Sequence, residues 1–165
     1  MIKGTRHCGA VSIELPADAL LQRYRVQGAY TDCFAVDVPG QVAHAAFVEA
    51  FYTSSVFKLE RLLLALLVSR PSNDAEAREL AGGSREKFAA WSVEARAPGQ
   101  LLMCDFAGST RSWLMAGAAG HGTRLYFGSA VVRSSQGGVF RTLLGFHKLY
   151  SRILLRAAVS RLRRA

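Results

Sequence analysis

Six side chains in the sequence are the candidates for meeting a ligand: Asp32, Trp91, Arg111, Trp113, His147 and Tyr150. Asp32 stands in the run YTDCFAVDV, where Tyr30, Asp32, Phe34, Val36 and Val38 share one face at a period of two. A carboxyl on an apolar face is costly unless it is paired or protonated. Asp32 is therefore either a group that handles a ligand or a proton, or half of an ion pair with one of the arginines. His147 and Tyr150 fall on the side of a helical run that also carries Leu143, Phe146, Ile153, Leu154 and Ala157. Turned inward, they either meet the polar end of a ligand and trade protons with it, or rest in the core with their tips on the backbone. Arg111, if buried, presents a forked donor to a carboxylate or phosphate. It also stands across the loop 106–110 from Asp105, where a cross-strand pair would contribute less than about 1 kcal/mol when exposed. Trp91 and Trp113 are wall material for a core or a pocket.

Other chemistries find no support in the spacing. The three cysteines, Cys8, Cys33 and Cys104, form no CxxC pair, and His7, His44 and His121 are too scattered for metal ligation, so neither a metal nor another cofactor is expected. Cys104 reads as a small buried apolar residue. The piece Gly117-Ala118-Ala119-Gly120-His121-Gly122 lies between two strands rather than before a helix, which fails the context of a phosphate-binding loop. No Gly-x-Ser-x-Gly elbow is present.

Length and composition suit one domain spanning residues 1–165: half of the residues are apolar, a fifth are charged and four are proline. The longest strongly apolar run, residues 62–68, is seven residues, well short of the roughly 20 that cross a membrane. The N-terminus has no apolar run of signal-peptide length, and a cytoplasmic protein with free thiols is expected. The net charge of +9 is lopsided: residues 1–105 hold eleven Lys or Arg against twelve Asp or Glu, whereas residues 106–165 hold ten Lys or Arg and no acid. Arg141, Lys148, Arg152, Arg156 and Arg163 form one stripe of the terminal helical run. That stripe either solubilises an apolar segment or meets an anionic partner. It lacks interleaved aromatics, which argues against nucleic acid and leaves a membrane surface, touched but not spanned.

The elements that must hold these residues follow from periodicity. Residues 1–20 read as an arm, 24–38 as a strand stopped by Pro39-Gly40, and 41–52 as a helix. Thr53-Ser54-Ser55 breaks it and caps a second helix over 57–69, and Ser72-Asn73-Asp74 caps a third that ends at Gly82-Gly83. Strands over 88–96, 101–106, 110–115 and 123–133 form an antiparallel meander, and residues 139–164 form one long helix. Both faces of the meander are apolar, with Leu101, Met103, Trp113 and Met115 read on one face and Leu102, Cys104, Phe106 and Leu114 on the other. The outer face therefore needs a cover, either the N-terminal arm or a second subunit in a homodimer. The expected class is α+β, a curved antiparallel sheet wrapped around a long C-terminal helix with short helices between the first strand and the meander.

That order, with the segments YTDCFAVDVP, FAAWSVEARAPGQLLMCDFAGSTRSWL, GTRLYFGSAVV and FHKLYSRILLRAA, resembles the helix-grip superfamily of START-related lipid-transfer domains, Bet v 1-like allergens and polyketide cyclases. More narrowly it resembles an uncharacterised bacterial group within it, over about residues 24–162. The resemblance implies an apolar cavity between sheet and terminal helix. It leads to the expectation of a domain that holds a small apolar or amphipathic molecule. An alternative is a cyclase, dehydratase or isomerase using Asp32 or His147 as the acid/base group and Arg111 or Tyr150 to orient the substrate. A third is a scaffold meeting an anionic partner through the basic stripe.

Overall fold

In the computed structural model a strand followed by helices precedes a meander and a long terminal helix, as the sequence order requires. The structure describes residues 9–69, 71–132 and 138–164, with the backbone alone for 63–68 and 138–148. In chain order the elements are β1 (Val11–Ser12), α1 (Gln22–Val26), β2 (Tyr30–Pro39), α2 (His44–Tyr52), α3 (Ser55–Val68), α4 (Asp74–Gly82), β3 (Lys87–Phe88), β4 (Trp91–Ala97), β5 (Gln100–Asp105), β6 (Thr110–Ala119), β7 (Gly122–Val131) and α5 (Gly138–Leu162). The fold is α+β. Seven antiparallel strands form one curved sheet in the order β1-β2-β7-β6-β5-β4-β3. The helices α2 and α5 pack together and α5 lies against β2 and β7.

Local chemistry sets the boundaries. The Asn73 side chain accepts from the Glu76 N–H at 2.9 Å while the Glu76 carboxylate accepts from the Asn73 N–H at 3.0 Å, a capping box that starts α4. Gly83, at φ 85°, ends it. The Ser54 hydroxyl accepts from Phe57 N–H and starts α3. Pro98-Gly99 turns β4 into β5. Gly99 has φ 69°, and a Cβ there would stand 2.9 Å from the Ala116 carbonyl oxygen, so the position is held to glycine by both conformation and space.

Three boundaries differ from the sequence reading. The strand expected over 24–38 begins at Tyr30, because residues 22–26 make the short helix α1, which folds Tyr24 inward. The strand expected over 88–96 is a tight hairpin of β3 and β4, turned at Ala89 with φ 51°. The glycine-rich piece at 117–119 is the end of β6, so that strand runs on to Ala119 and the turn falls at Gly120-His121. The sequence also places an end of the sheet at Gln136-Gly137-Gly138; the first two of these lie outside the described residues, and Gly138 opens α5.

Cross-strand register also corrects the expected faces. Leu102 stands opposite Trp113, and Leu101 opposite Leu114. Leu101, Met103 and Leu114 thus share the face that packs on the helices, with Phe34, Phe127, Leu154 and Leu155 in one core. Leu102, Trp113, Cys33 and Ala130 belong to the opposite face, in a second core with Leu15, Ala19, Leu21 and Tyr24. The arm and α1 therefore pack on the outer face, the first of the two covers expected from the sequence. Ile153, expected to face inward, is 41 % exposed. The inward stripe of α5 runs instead through Ser151, Leu154, Leu155, Ala158 and Val159, one step round the helix.

Candidate functional site

The helix-facing side of the sheet is apolar in the middle and polar towards one end. Phe34, Leu114 and Phe127 give way to Ser112 and Ser129, which are register partners, and to Asp32 opposite Ser129. Above this end the helices do not close down fully. A cavity of about 230 Å³ remains, lined by Phe51, Tyr52, Phe57, Trp91, Phe127 and Leu154, with polar groups from Glu60, Thr110, Ser112, Ser129, Tyr150 and Ser151. For scale, an engineered apolar cavity of about 150 Å³ holds benzene.

Each wall is placed by a local device. The turn between α2 and α3 is bound by its own hydroxyls: Thr53 Oγ1 donates to the Glu49 carbonyl at 2.8 Å, and Ser54 Oγ to the Phe51 carbonyl at 2.9 Å. Reversing the chain there stacks Phe51, Tyr52 and Phe57 together, with Tyr52–Phe57 centroids 4.8 Å apart and Phe51–Phe127 centroids 5.0 Å apart. One turn beyond Phe57, the same face of α3 delivers Glu60 to the cavity. The neighbouring Arg61 turns the other way, to Asp74 at 2.6 Å and over the Phe88 ring. From α5, Tyr150, Ser151 and Leu154 line the opposite wall.

The cavity's electrostatics centre on Glu60. Its carboxylate accepts a hydrogen bond from the Tyr150 hydroxyl, across the seam between α3 and α5. Burial pushes the Glu60 carboxyl above the usual glutamate range, and the Tyr150 bond only partly offsets this. Tyr150 is itself pushed up, first by burial and then by the charge of Glu60. Glu60 forms no ion pair among the described residues. Behind it, Tyr52 is fully buried and its hydroxyl has no hydrogen-bond partner. The Ser112 side chain is near enough to favour the phenolate electrostatically, but short of hydrogen-bond geometry.

The six residues singled out from the sequence distribute as follows. Trp91, Arg111 and Tyr150 line the cavity. Arg111 borders it but belongs by register to the arm face, opposite Cys104, where its Nε meets the Tyr24 hydroxyl at 2.8 Å and Glu94 at 2.5 Å. Its expected cross-strand partner Asp105 stands opposite Trp91 instead, and its carboxylate accepts from Ser109 N–H at 2.7 Å in the hairpin loop. Arg111 pairs with Glu94 because a bulge between Val93 and Ala95 re-aims that residue. Trp113 lies on the opposite face from the cavity, with Nε1–H donating to Gln100 Oε1 at 2.9 Å. Asp32 stands beside the cavity: it accepts from Ser129 Oγ at 2.6 Å and from the Tyr30 hydroxyl at 3.2 Å. The His147 side chain lies outside the described residues.

Sequence reasoning missed Glu60, Tyr52, Phe57 and the serine pair. Glu60 had a signal, since it is the one acid in a helix otherwise filled by SVFKL and RLLLALLV. Among the described residues no three His, Cys, Asp or Glu side chains gather to hold a metal ion. Nor, among them, is any helix long and apolar enough to cross a membrane. No protein-family model, no curated protein and no solved structure matches this chain.

Proposed function

We propose that this chain is a helix-grip-type domain that holds a small apolar or amphipathic molecule between its sheet and its C-terminal helix. The observation that carries the reading is the cavity of about 230 Å³, with aromatic walls and a polar end. Ligand sites are concave, mostly apolar and furnished with a few orienting polar groups. A core of this composition would ordinarily close to crystal-like density, so a gap of this size between well-packed layers is a feature with a use. The strand order and the placement of α5 support the helix-grip likeness drawn from the sequence motifs.

Native mass spectrometry of the purified protein against its denatured mass tests the reading. A persistent additional mass of small-molecule size is the expected result. A bare native mass, together with no rise in melting temperature across a panel of single-ring compounds, overturns it, since a ligand held only by the folded form must stabilise it.

One observation favours a second reading, a surface that meets anionic lipid headgroups. Leu59 and Leu62 on α3 are 59 % and 55 % exposed, and Leu149 and Ile153 on α5 are 56 % and 41 % exposed. The Glu60–Tyr150 bond brings those stretches side by side. Arg152 and Arg156 are exposed on the same helix, and Arg163 is exposed just beyond its end. Leucines flanked by arginines suit an interfacial face. Co-sedimentation with phosphatidylglycerol vesicles but not with phosphatidylcholine vesicles, lost in high salt, supports it; equal pelleting or none sinks it.

A further inference from the structure

The cavity has a charge preference of its own. Among the described residues Glu60 is the one acid in its lining, and the one base, Arg111, has its guanidinium engaged on the other side of the sheet by Glu94 and Tyr24. A carboxylate offers about four acceptor sites. Glu60 uses one of them, for Tyr150. Among the described residues none forms an ion pair with it: α5 offers Tyr150, and α2 offers Tyr52, whose buried hydroxyl has no hydrogen-bond partner. The same cavity is lined by the rings of Phe51, Phe57 and Trp91, and aromatic π-faces attract a cation.

Resting on the reading of this cavity as a ligand site, we infer that its ligand is a small ammonium compound, one ring or short chain bearing a protonated amine. The amine donates to the free acceptor sites of Glu60 and its apolar part lies among the aromatic walls. An anionic ligand would bring a second negative charge to a buried carboxylate, and a neutral one would leave that carboxylate with Tyr150 as its single donor. The volume admits a single six-membered ring with a short side arm.

The experiment compares benzylamine, benzyl alcohol and benzoate, three probes of nearly one shape, by calorimetry on the full chain at neutral pH, with wild type and Glu60→Gln. Benzylamine should bind at least about tenfold tighter than benzyl alcohol, as a charge-assisted hydrogen bond warrants, and benzoate should not bind. Glu60→Gln should erase the preference for the amine while leaving benzyl alcohol binding in place. Wild type supplies a second readout that needs no variant: affinity for benzylamine, but not for benzyl alcohol, should fall as pH is lowered through protonation of Glu60. If benzyl alcohol binds as well as the amine, and neither Glu60→Gln nor pH changes the ratio, the ammonium inference is overturned and the cavity reading stands. If none of the probes binds, both fall together.

Discussion

The two faces of this sheet are built from similar residues to opposite ends. On the arm side every buried polar side chain among the described residues meets a partner. Gln100, 7 % exposed, accepts from Trp113 Nε1–H and from Leu20 N–H and donates to the Asp18 carbonyl. Arg111, Glu94 and Tyr24 bond one another, with the guanidinium 4.8 Å above the Tyr24 ring. Packing there is tight enough that a Cβ on Gly128 would come within 3.0 Å of Leu21, Trp113 and the Asp32 carbonyl. On the helix side the same sheet leaves a cavity, a carboxylate with one donor and a tyrosine hydroxyl with none. Natural cores tolerate unsatisfied groups and voids rarely, and where they do, the stability given up commonly serves a site. Under the proposed ligand-holding reading, one face carries stability and the other recognition.

The largest effect that would break this division comes from the arm face. Trp113 is fully buried, and Trp113→Ala should cost about 3–5 kcal/mol, read as a large drop in the denaturant midpoint. A loss below about 1 kcal/mol would mean that the arm face is not the stabilising one. Next comes Gln100→Ala, which leaves the Trp113 and Leu20 N–H groups without their acceptor. With each unsatisfied buried donor costing about 1–3 kcal/mol, the expected loss is about 2 kcal/mol. Hydrogen exchange should localise it, with Leu20 and its neighbours losing protection before the meander does.

How much of this was legible in the sequence depends on the range of the signal. Period-two runs and turn chemistry marked β2, β5 and β7 and the caps of α3 and α4, because those are set by neighbours a few residues away. What failed was set by register. Whether Trp113 faces Leu101 or Leu102 depends on the length of a hairpin loop, and a shift of one residue moves a side chain to the other face. The bulge that turns Glu94 towards Arg111 left no local mark, so Arg111 was paired with Asp105 by proximity in sequence. Glu60 was passed over because a lone acid in a helix ordinarily faces water, and only the seam with α5 buries it. Tyr150 was legible because its inward side follows from helical periodicity; its partner, 90 residues away, was not.

On the cavity face the effects are smaller and depend on pH. Burial raises the Glu60 carboxyl above its ordinary range, so the folded state holds a proton that the unfolded chain releases earlier. The stability this contributes is complete below the unfolded value, about 4.3 for glutamate, and is lost as pH rises through the higher folded value. Asp37 acts in the opposite sense, since its hydrogen bond with Arg124 holds it low. The informative quantity is therefore the difference between wild type and Glu60→Gln across pH. Wild type should lose stability relative to the variant as pH rises from the glutamate range, and a flat difference would mean that Glu60 titrates as it does in water.

The smallest effect gives the sharpest comparison, because one substitution is made on each face. Tyr24→Phe removes a hydroxyl that accepts from Arg111 Nε at 2.8 Å and donates to Glu94. Those two groups then lose a partner in a half-buried site, which should cost about 1–2 kcal/mol. Tyr52→Phe removes a hydroxyl that is fully buried and has no hydrogen-bond partner. Nothing is left unsatisfied by its loss, and the desolvation cost of the hydroxyl is relieved, so stability should stay within about 0.5 kcal/mol of wild type or rise. Equilibrium unfolding of the two variants side by side decides the matter. Equal losses would mean that the Tyr52 hydroxyl is held as firmly as that of Tyr24, and that the helix face is packed for stability after all. An asymmetry of the expected sign would mean that the hydroxyl is kept at a cost to the fold, beside the Glu60 carboxyl that lines the cavity.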